Sequence, residues 1–564
     1  MATIAVPLEP ESRSVPIASP ALLHSRPFRN SLITALALLA LAVEGYHPFA
    51  EAGGLYAAGV ERLLDPTLFP HWSSFVLAPM RVSIFAPVIA ALVRISHLSI
   101  PAVLLLVQLG SIWTTLYAAY GIAECCWQSL RARTGAVVLL ACWIGLPVAG
   151  SSLQIMDPYV TARSFSTPCI LFGLLCVLRL TTEPGRKRAL WLLLCAVSLT
   201  LGFAMHPLMA GYGIAATCLL ACLRSKRRSI QFGGTISCCV AAICLAAVLQ
   251  HEVAPEPAAY VRAALTRTYW FPQEWTWYEL AGLLAPLAIL AACLNQERPR
   301  SVARNDGLSH RMSCRVALAA MATVLGATAI LVAALFARPD SVTHLVARLQ
   351  PLRAFQTVYI VMILMLGALL AEYLLEQRVW RWVAAVLLLS SPVFLAERAA
   401  FPSSAHIQVS EAGDGNLWIQ SFAWVRTHTP KDALFALDPD YIHAPGEDGH
   451  CFRAIAERSA LPDFSKDGGE ASVAPQLAES WQYGVGAQRN LGSAVDLRRN
   501  SAGAAALRAI GVSWVILRAK ARTDLDCPYS NLAAKVCKIN DAPALETETA
   551  RRARLAVFMR SAQR

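Results

Sequence analysis

Glu44, Tyr46, His47, Glu51, Gly53, Gly54 and Tyr56 crowd into one short segment of the chain. Carboxylates in such a setting serve as a general base or as cation ligands, and glycines let a backbone approach a bound molecule closely. A second group, Asp157, Pro158, Tyr159, Thr161 and Arg163, sets an acid near a guanidinium. Asp-Pro is also an ordinary helix start, with Asp as cap and Pro in the first turn. Arg163, however, stands just ahead of an apolar run, where it must face water, a counter-charge or a lipid headgroup. His206 lies between Met205 and Pro207 at a break between two apolar runs, and suits a ligand, a phosphate contact or an interfacial residue. Arg353, after Gln350, Pro351 and Leu352, offers a guanidinium that can hold a phosphate through two parallel hydrogen bonds. Tyr269, Trp270, Phe271, Trp275 and Trp277 form an aromatic stretch of the kind found at membrane interfaces.

The elements that must position these groups are apolar. Of 564 residues, 56% are hydrophobic and 15% charged, and the apolar residues come in long runs that a water-soluble protein has no place to bury. In a bilayer an unpaired backbone amide is costly, so runs rich in Leu and Ala form spanning helices. They cover residues 30–46, 99–122, 134–152, 166–180, 189–204, 207–223, 232–250, 278–294, 316–337, 354–375 and 380–397. The expected fold is an α-helical polytopic membrane protein of about eleven transmembrane helices with a C-terminal soluble α/β domain. A twelfth apolar segment, Phe75 to Ile95, contains Pro79, Arg81 and Pro87.

Basic residues fix the expected orientation, because basic loops stay in the cytoplasm. Arg131 with Arg133, Arg186 to Arg188, Arg224 with Lys226 to Arg228, Arg298 to Arg315, and Arg378 with Arg381 occupy every second loop. Arg338, Arg348 and Arg353 weaken the contrast in one outer loop. The net charge of +12 therefore reads as topology and not as a nucleic-acid surface. One alternating arrangement satisfies all the basic loops if the Phe75 to Ile95 segment is interfacial or re-entrant. Residues 1–29 are then a disordered cytoplasmic tail, residues 30–397 the transmembrane domain, and residues 398–564 an extracytoplasmic domain; a bacterial inner membrane fits this orientation. After Phe401, strand-like runs at Ala433 to Leu437 and Val512 to Leu517 alternate with a helical one at Ala504 to Ile510. The polar cluster of His443, Glu447, Asp448, Arg453, Arg458, Lys466 and Asp467 is a candidate site there, although solvated loops produce such clusters by chance. All cysteines except Cys451, Cys527 and Cys537 lie in or beside apolar runs and read as small buried hydrophobes. Those three would sit in an oxidising compartment, where two of them can pair, and no Cys/His spacing points to zinc.

The arrangement resembles the GT-C superfamily of membrane glycosyltransferases, which includes protein O-mannosyltransferase-like, aminoarabinose-transferase-like and oligosaccharyltransferase-like enzymes. The likeness rests on Glu51 as the acidic position of the first outer loop, Phe75 to Ile95 as a juxtamembrane helix, Asp157-Pro158 as the second acidic motif, and the C-terminal domain. It implies transfer of a sugar from a polyprenyl-phosphate lipid donor to an extracytoplasmic acceptor. Glu51 or Asp157 would act as base, and Glu44, His47, Arg163, His206 and Arg353 would contact substrate and phosphate. Ala52 follows Glu51 where many relatives carry a second acid, and no Asp-x-Asp motif is present, so the resemblance leaves a divalent cation open. A transporter or lipid flippase, and a non-catalytic envelope-assembly scaffold, are the competing readings. No internal repeat and no acid deep in mid-helix speaks for transport, and a scaffold would tolerate substitution of Glu51 and Asp157.

Overall fold

The computed structural model describes residues 26–181, 185–251, 255–296, 306–409, 415–492 and 496–539. The expected tail lies outside them up to residue 25, and Arg26 to Arg29 already belong to the first helix. The helices of the N-terminal part are α1 (Arg26–Glu44), α2 (Glu51–Leu64), α3 (Ser73–Leu77), α4 (Phe85–Ser96), α5 (Ile100–Cys126), α6 (Leu130–Cys142), α7 (Ala162–Leu180) and α8 (Arg186–Met205). They continue as α9 (Pro207–Leu223), α10 (Thr235–His251), α11 (Ala258–Leu265), α12 (Trp277–Gln296), α13 (Asp306–Phe336), α14 (Phe355–Leu370) and α15 (Val379–Ala400).

Every apolar run contains a helix, but the helices are not equal in length. Among the described residues, 8 helices are long and apolar enough to cross a membrane, and Pro207–Leu223 and Trp277–Cys293 are shorter apolar helices. The chain is an integral membrane protein, and among the described residues the helices long enough to span number about eight, against the expected eleven. The run at residues 134–152 accounts for part of the difference. Its helix α6 ends at Cys142 after 13 residues, a length of about 20 Å against the roughly 30 Å hydrocarbon core. Gly145, Pro147 and Gly150 follow, and they favour the irregular backbone found from Trp143 to Thr161 over further helix.

The ambiguous Phe75 to Ile95 segment is broken. Ser73–Arg81 and Phe85–Ser96 meet at a bend of 98°, where the Ser83 hydroxyl accepts from the Phe85 amide at 3.1 Å and donates to the Met205 carbonyl at 2.5 Å. Tyr46, just beyond α1, donates its hydroxyl to the carbonyl of Pro101 at the start of α5. Glu124, near the end of α5, lies beside Arg29 at the start of α1. The chain therefore leaves α1 and enters α5 at the same end of the bundle, and the bent pair does not carry it to the other end.

The C-terminal part is α/β. Its helices are α16 (Leu417–His428), α17 (Phe452–Ala456), α18 (Lys466–Val473), α19 (Ala478–Gln488) and α20 (Ala502–Ala509). Its strands are β1 (Leu434–Ala436), β2 (Ser459–Ala460), β3 (Trp514–Arg518), β4 (Asp526–Ser530) and β5 (Ala534–Lys538). The sheet order is β2-β1-β3-β5-β4. β1 runs parallel to β2 and β3, and β5 runs antiparallel to β3 and β4. Strand β1 is buried throughout and β3 nearly so, as expected of strands covered on both faces. A disulfide joins Cys527 to Cys537, and Cys451 is free and buried.

Main-chain bonds fasten this domain to the segment between α1 and α2. The Glu51 amide donates to the Gly449 carbonyl at 2.7 Å, and the Cys451 amide to the Phe49 carbonyl at 2.9 Å. Gly54 faces Cys451 so closely that an added Cβ would lie 2.2 Å from the Cys451 Cβ and 2.5 Å from the Phe49 carbonyl oxygen. Gly54→Ala is expected to destabilise the docked domain by about 1–3 kcal/mol, the usual cost of overpacking. Thermal unfolding in detergent checks this, with Gly110→Ala as the control, since nothing lies within 4 Å of a Cβ there.

Candidate functional site

A cavity of about 1610 Å³ opens where the loops at one end of the helices meet α18. It has two chemically distinct parts. The inner part is walled by Leu219 of α9, by Cys238, Ala242, Leu245 and Leu249 of α10, and by Leu325, Ala329 and Val332 of α13. Within α10 and α13 these positions recur every three or four residues, so one face of each helix supplies the wall. The span containing α10 is almost wholly exposed, which sets this apolar part next to lipid. The head of the cavity is lined by Arg163, Arg267, Arg348, Arg353 and Lys466, with the carboxyl groups of Glu51 and Glu470 among them.

Arg163 opens α7. The Thr161 hydroxyl accepts from the Arg163 amide at 3.3 Å, and Ser164 returns a bond to the Thr161 amide at 3.1 Å, the reciprocal cap that fixes a helix start. Arg163 Nη2 donates to Asp157 Oδ2 at 2.5 Å. Asp157 itself is buried behind the arginine and is not part of the cavity wall. Burial raises its carboxyl above the ordinary value, and the positive charges of Arg163 and Arg353 oppose that rise. Arg353 sits on the turn Pro351–Ala354, entered through Gln350 in the left-handed region at φ 52°. Arg163 Nη1 and Arg353 Nε are buried and have no hydrogen-bond partner among the described residues. Unpaired buried guanidinium nitrogens beside a cavity are suited to an anion.

Glu51 begins α2 with φ 52°, a conformation that strains any residue with a Cβ and that clusters at functional sites. Its Oε2 accepts a hydrogen bond from Lys466 Nζ across the domain boundary. His206 caps α9, its Nδ1 accepting from the Met209 amide at 3.4 Å, and it also lines the cavity. Glu51, Arg163, His206 and Arg353 thus converge, although Arg353 lies some 300 residues from Glu51 in sequence. Glu44 and His47 do not line the cavity. Glu44 is fully buried beside Glu397, both lying against Gly145. His47 is stacked on Phe401 at 3.8 Å and its Nδ1 pairs with Gln408 Oε1 at 3.2 Å. Burial pulls its imidazole down to about 3, which leaves it uncharged at neutral pH.

Within the C-terminal polar cluster, Lys466 and His443 reach the cavity. Glu447, Arg453, Arg458 and Asp467 are buried inside the domain instead. Sequence reasoning missed Arg267, Arg348 and Glu470. The presence of Arg267 and Arg348 in loops that the alternation of basic residues expects to be poor in arginine was the available signal for the two cations. Nothing marked Glu470 except its spacing of four residues from Lys466, which places the two on one helix face. Arg267 is held by the Ser465 and Phe464 carbonyls at 2.8 and 3.2 Å, so it both lines the head and anchors α18. No group of three or more His, Cys, Asp or Glu placed to hold a metal ion occurs among the described residues.

No protein-family model matches the chain, and no curated protein matches it. Among solved structures, one similar chain is the Archaeoglobus fulgidus oligosaccharyltransferase in complex with zinc and sulfate. It shares 12% identity over 87% of this chain and 68% of its own, at a TM-score of 0.41. A likeness of that size assigns neither a family nor an activity.

Proposed function

We propose that this membrane protein is a glycosyltransferase that takes a sugar from a polyprenyl-phosphate donor and passes it to an acceptor on the face that carries the C-terminal domain. The observation that carries this reading is the two-part cavity, apolar between α9, α10 and α13 and cationic at its head. An amphiphile with a long apolar tail and a phosphate matches both parts at once. The lipid tail lies along the helix faces, and the phosphate oxygens take up the free donors Arg163 Nη1 and Arg353 Nε. The sugar, attached beyond the phosphate, then sits between these arginines and the carboxyl groups of Glu51 and Glu470. As the bond from sugar to phosphate breaks, negative charge grows on the phosphate, and fixed guanidinium groups in a water-poor site stabilise that charge. The alternation of basic loops supports an orientation with the cavity and the C-terminal domain outside the cytoplasm of a bacterial inner membrane.

Transfer from radiolabelled polyprenyl-phosphate sugars, measured on the protein in liposomes, tests the reading. Arg353→Gln is expected to lower turnover by about 10²–10³-fold, the scale of losing one charge-stabilising donor. A wild-type protein that neither binds nor consumes such donors would exclude it. Movement of the donor between leaflets without loss of its sugar would favour a flippase.

A further inference from the structure

Three carboxyl groups line the cavity, and their surroundings differ. Asp440 is paired with His443 at 2.7 Å. Glu51 is engaged by Lys466. Glu470, one turn along α18 from that lysine, lines the same space and makes no salt bridge among the described residues. Burial, with the charge of Asp467 adding to it, pushes the Glu470 carboxyl up to about 8. Charged and titratable groups approach it from each neighbouring element. Tyr56 and Glu51 come from α2, and the charge of Glu470 is felt by the Tyr56 hydroxyl. The Arg267 guanidinium, from the turn after α11, lies against Gly468 and Gly469. Arg262 of α11 turns away to Gln482, and Glu479 of α19 is exposed. On α18 itself Asp467 is taken by Arg453 at 2.8 Å, and Lys466 by Glu51.

We propose that Glu470, supplied by the C-terminal domain, is the group that accepts the proton of the acceptor hydroxyl, while Lys466 keeps Glu51 paired and out of that role. This rests on the transferase reading above. In the step, the acceptor hydroxyl oxygen forms a bond to the anomeric carbon. The bond from that carbon to the phosphate oxygen breaks, the phosphate leaves with the electron pair towards Arg163 and Arg353, and the hydroxyl proton ends on the Glu470 carboxylate. A base must be ionised to act, so the rate rises with pH until Glu470 has lost its proton. The C-terminal domain is then part of the reaction centre.

The test is the pH dependence of transfer by the full chain in liposomes, from about pH 6 to about pH 9.5, with donor binding measured alongside. For wild type, the rate is expected to climb about tenfold per pH unit and to level off above about 8. Glu470→Gln should lower transfer by about 10²–10⁴-fold, abolish the climb and leave donor affinity unchanged, whereas Glu51→Gln should keep the climb. Glu470→Asp, should the amide variant not fold, is expected to retain a slower reaction whose midpoint has moved. Glu470→Gln retaining both its rate and the climb would overturn the assignment in favour of Glu51 or of Lys466, whose ammonium burial also draws down to about 8. Wild-type binding of donor with no transfer at any pH would overturn the transferase reading, and this assignment with it.

Discussion

Arg163→Met is expected to destabilise the protein by about 3–5 kcal/mol and to abolish lipid-phosphate binding in whatever fraction still folds. The guanidinium has two duties. One nitrogen satisfies Asp157 at 2.5 Å, with side-chain exposures of 11% and 8% for the pair, and another is free to meet a ligand. Removing the arginine leaves a buried carboxylate without its partner, which costs far more than the pair contributes when intact. Asp157→Leu combined with Arg163→Met removes both charges and is expected to recover much of the lost stability while leaving binding absent. Thermal unfolding in detergent and donor titration, run on the two single variants and the double, separate the two duties. Equal stability of Arg163→Met and wild type would show that Asp157 is solvated or protonated in the folded protein.

Arg453→Met should have an effect of similar size in the C-terminal domain. Arg453 Nη1 bonds Asp467 Oδ1 at 2.8 Å, with exposures of 5% and 0%, and Nη2 donates to the Ala460 carbonyl at 3.0 Å. The other Asp467 oxygen accepts from the Asp463 amide at 2.8 Å. This buried network fixes the first turn of α18 and hence the direction of Lys466 and Glu470. Its loss is expected to cost about 3–5 kcal/mol and to stop transfer before the domain unfolds. Hydrogen exchange localised to residues 463–473 checks the first point, and activity at temperatures below the unfolding transition checks the second.

The helical runs were legible because Leu- and Ala-rich stretches in a bilayer have few alternatives to helix. The break inside Phe75 to Ile95 was legible for the opposite reason, since Pro79, Arg81 and Pro87 interrupt the run. The segment from 134 to 152 misled because hydropathy treats Gly145 and Gly150 as neutral and passes over the backbone freedom that ends α6. Arg163, His206 and Arg353 stood out as polar residues at the ends of apolar runs, where few solutions satisfy them, and all three line the cavity. Glu44 and His47 were grouped with Glu51 by proximity in sequence. The chain turns sharply between α1 and α2, so that neighbours in the chain face different surroundings. Arg267, Arg348 and Glu470 resemble ordinary solvated charges until the folding of the C-terminal domain against the loops brings them to one cavity.

The contact between Glu51 and Lys466 spans 415 residues, and the main-chain bonds from Glu51 to Gly449 and from Cys451 to Phe49 span nearly as many. At 5–20 residues per second, the ribosome needs roughly 20–80 s to make the stretch between the two halves of the site. During that time Glu51 is already inserted without its lysine, and the cavity has no roof. The pocket comes into being only when the tail of the chain has arrived on the same side of the bilayer, so a nascent or prematurely terminated protein in the membrane holds the apolar groove without Lys466 and Glu470 at its head.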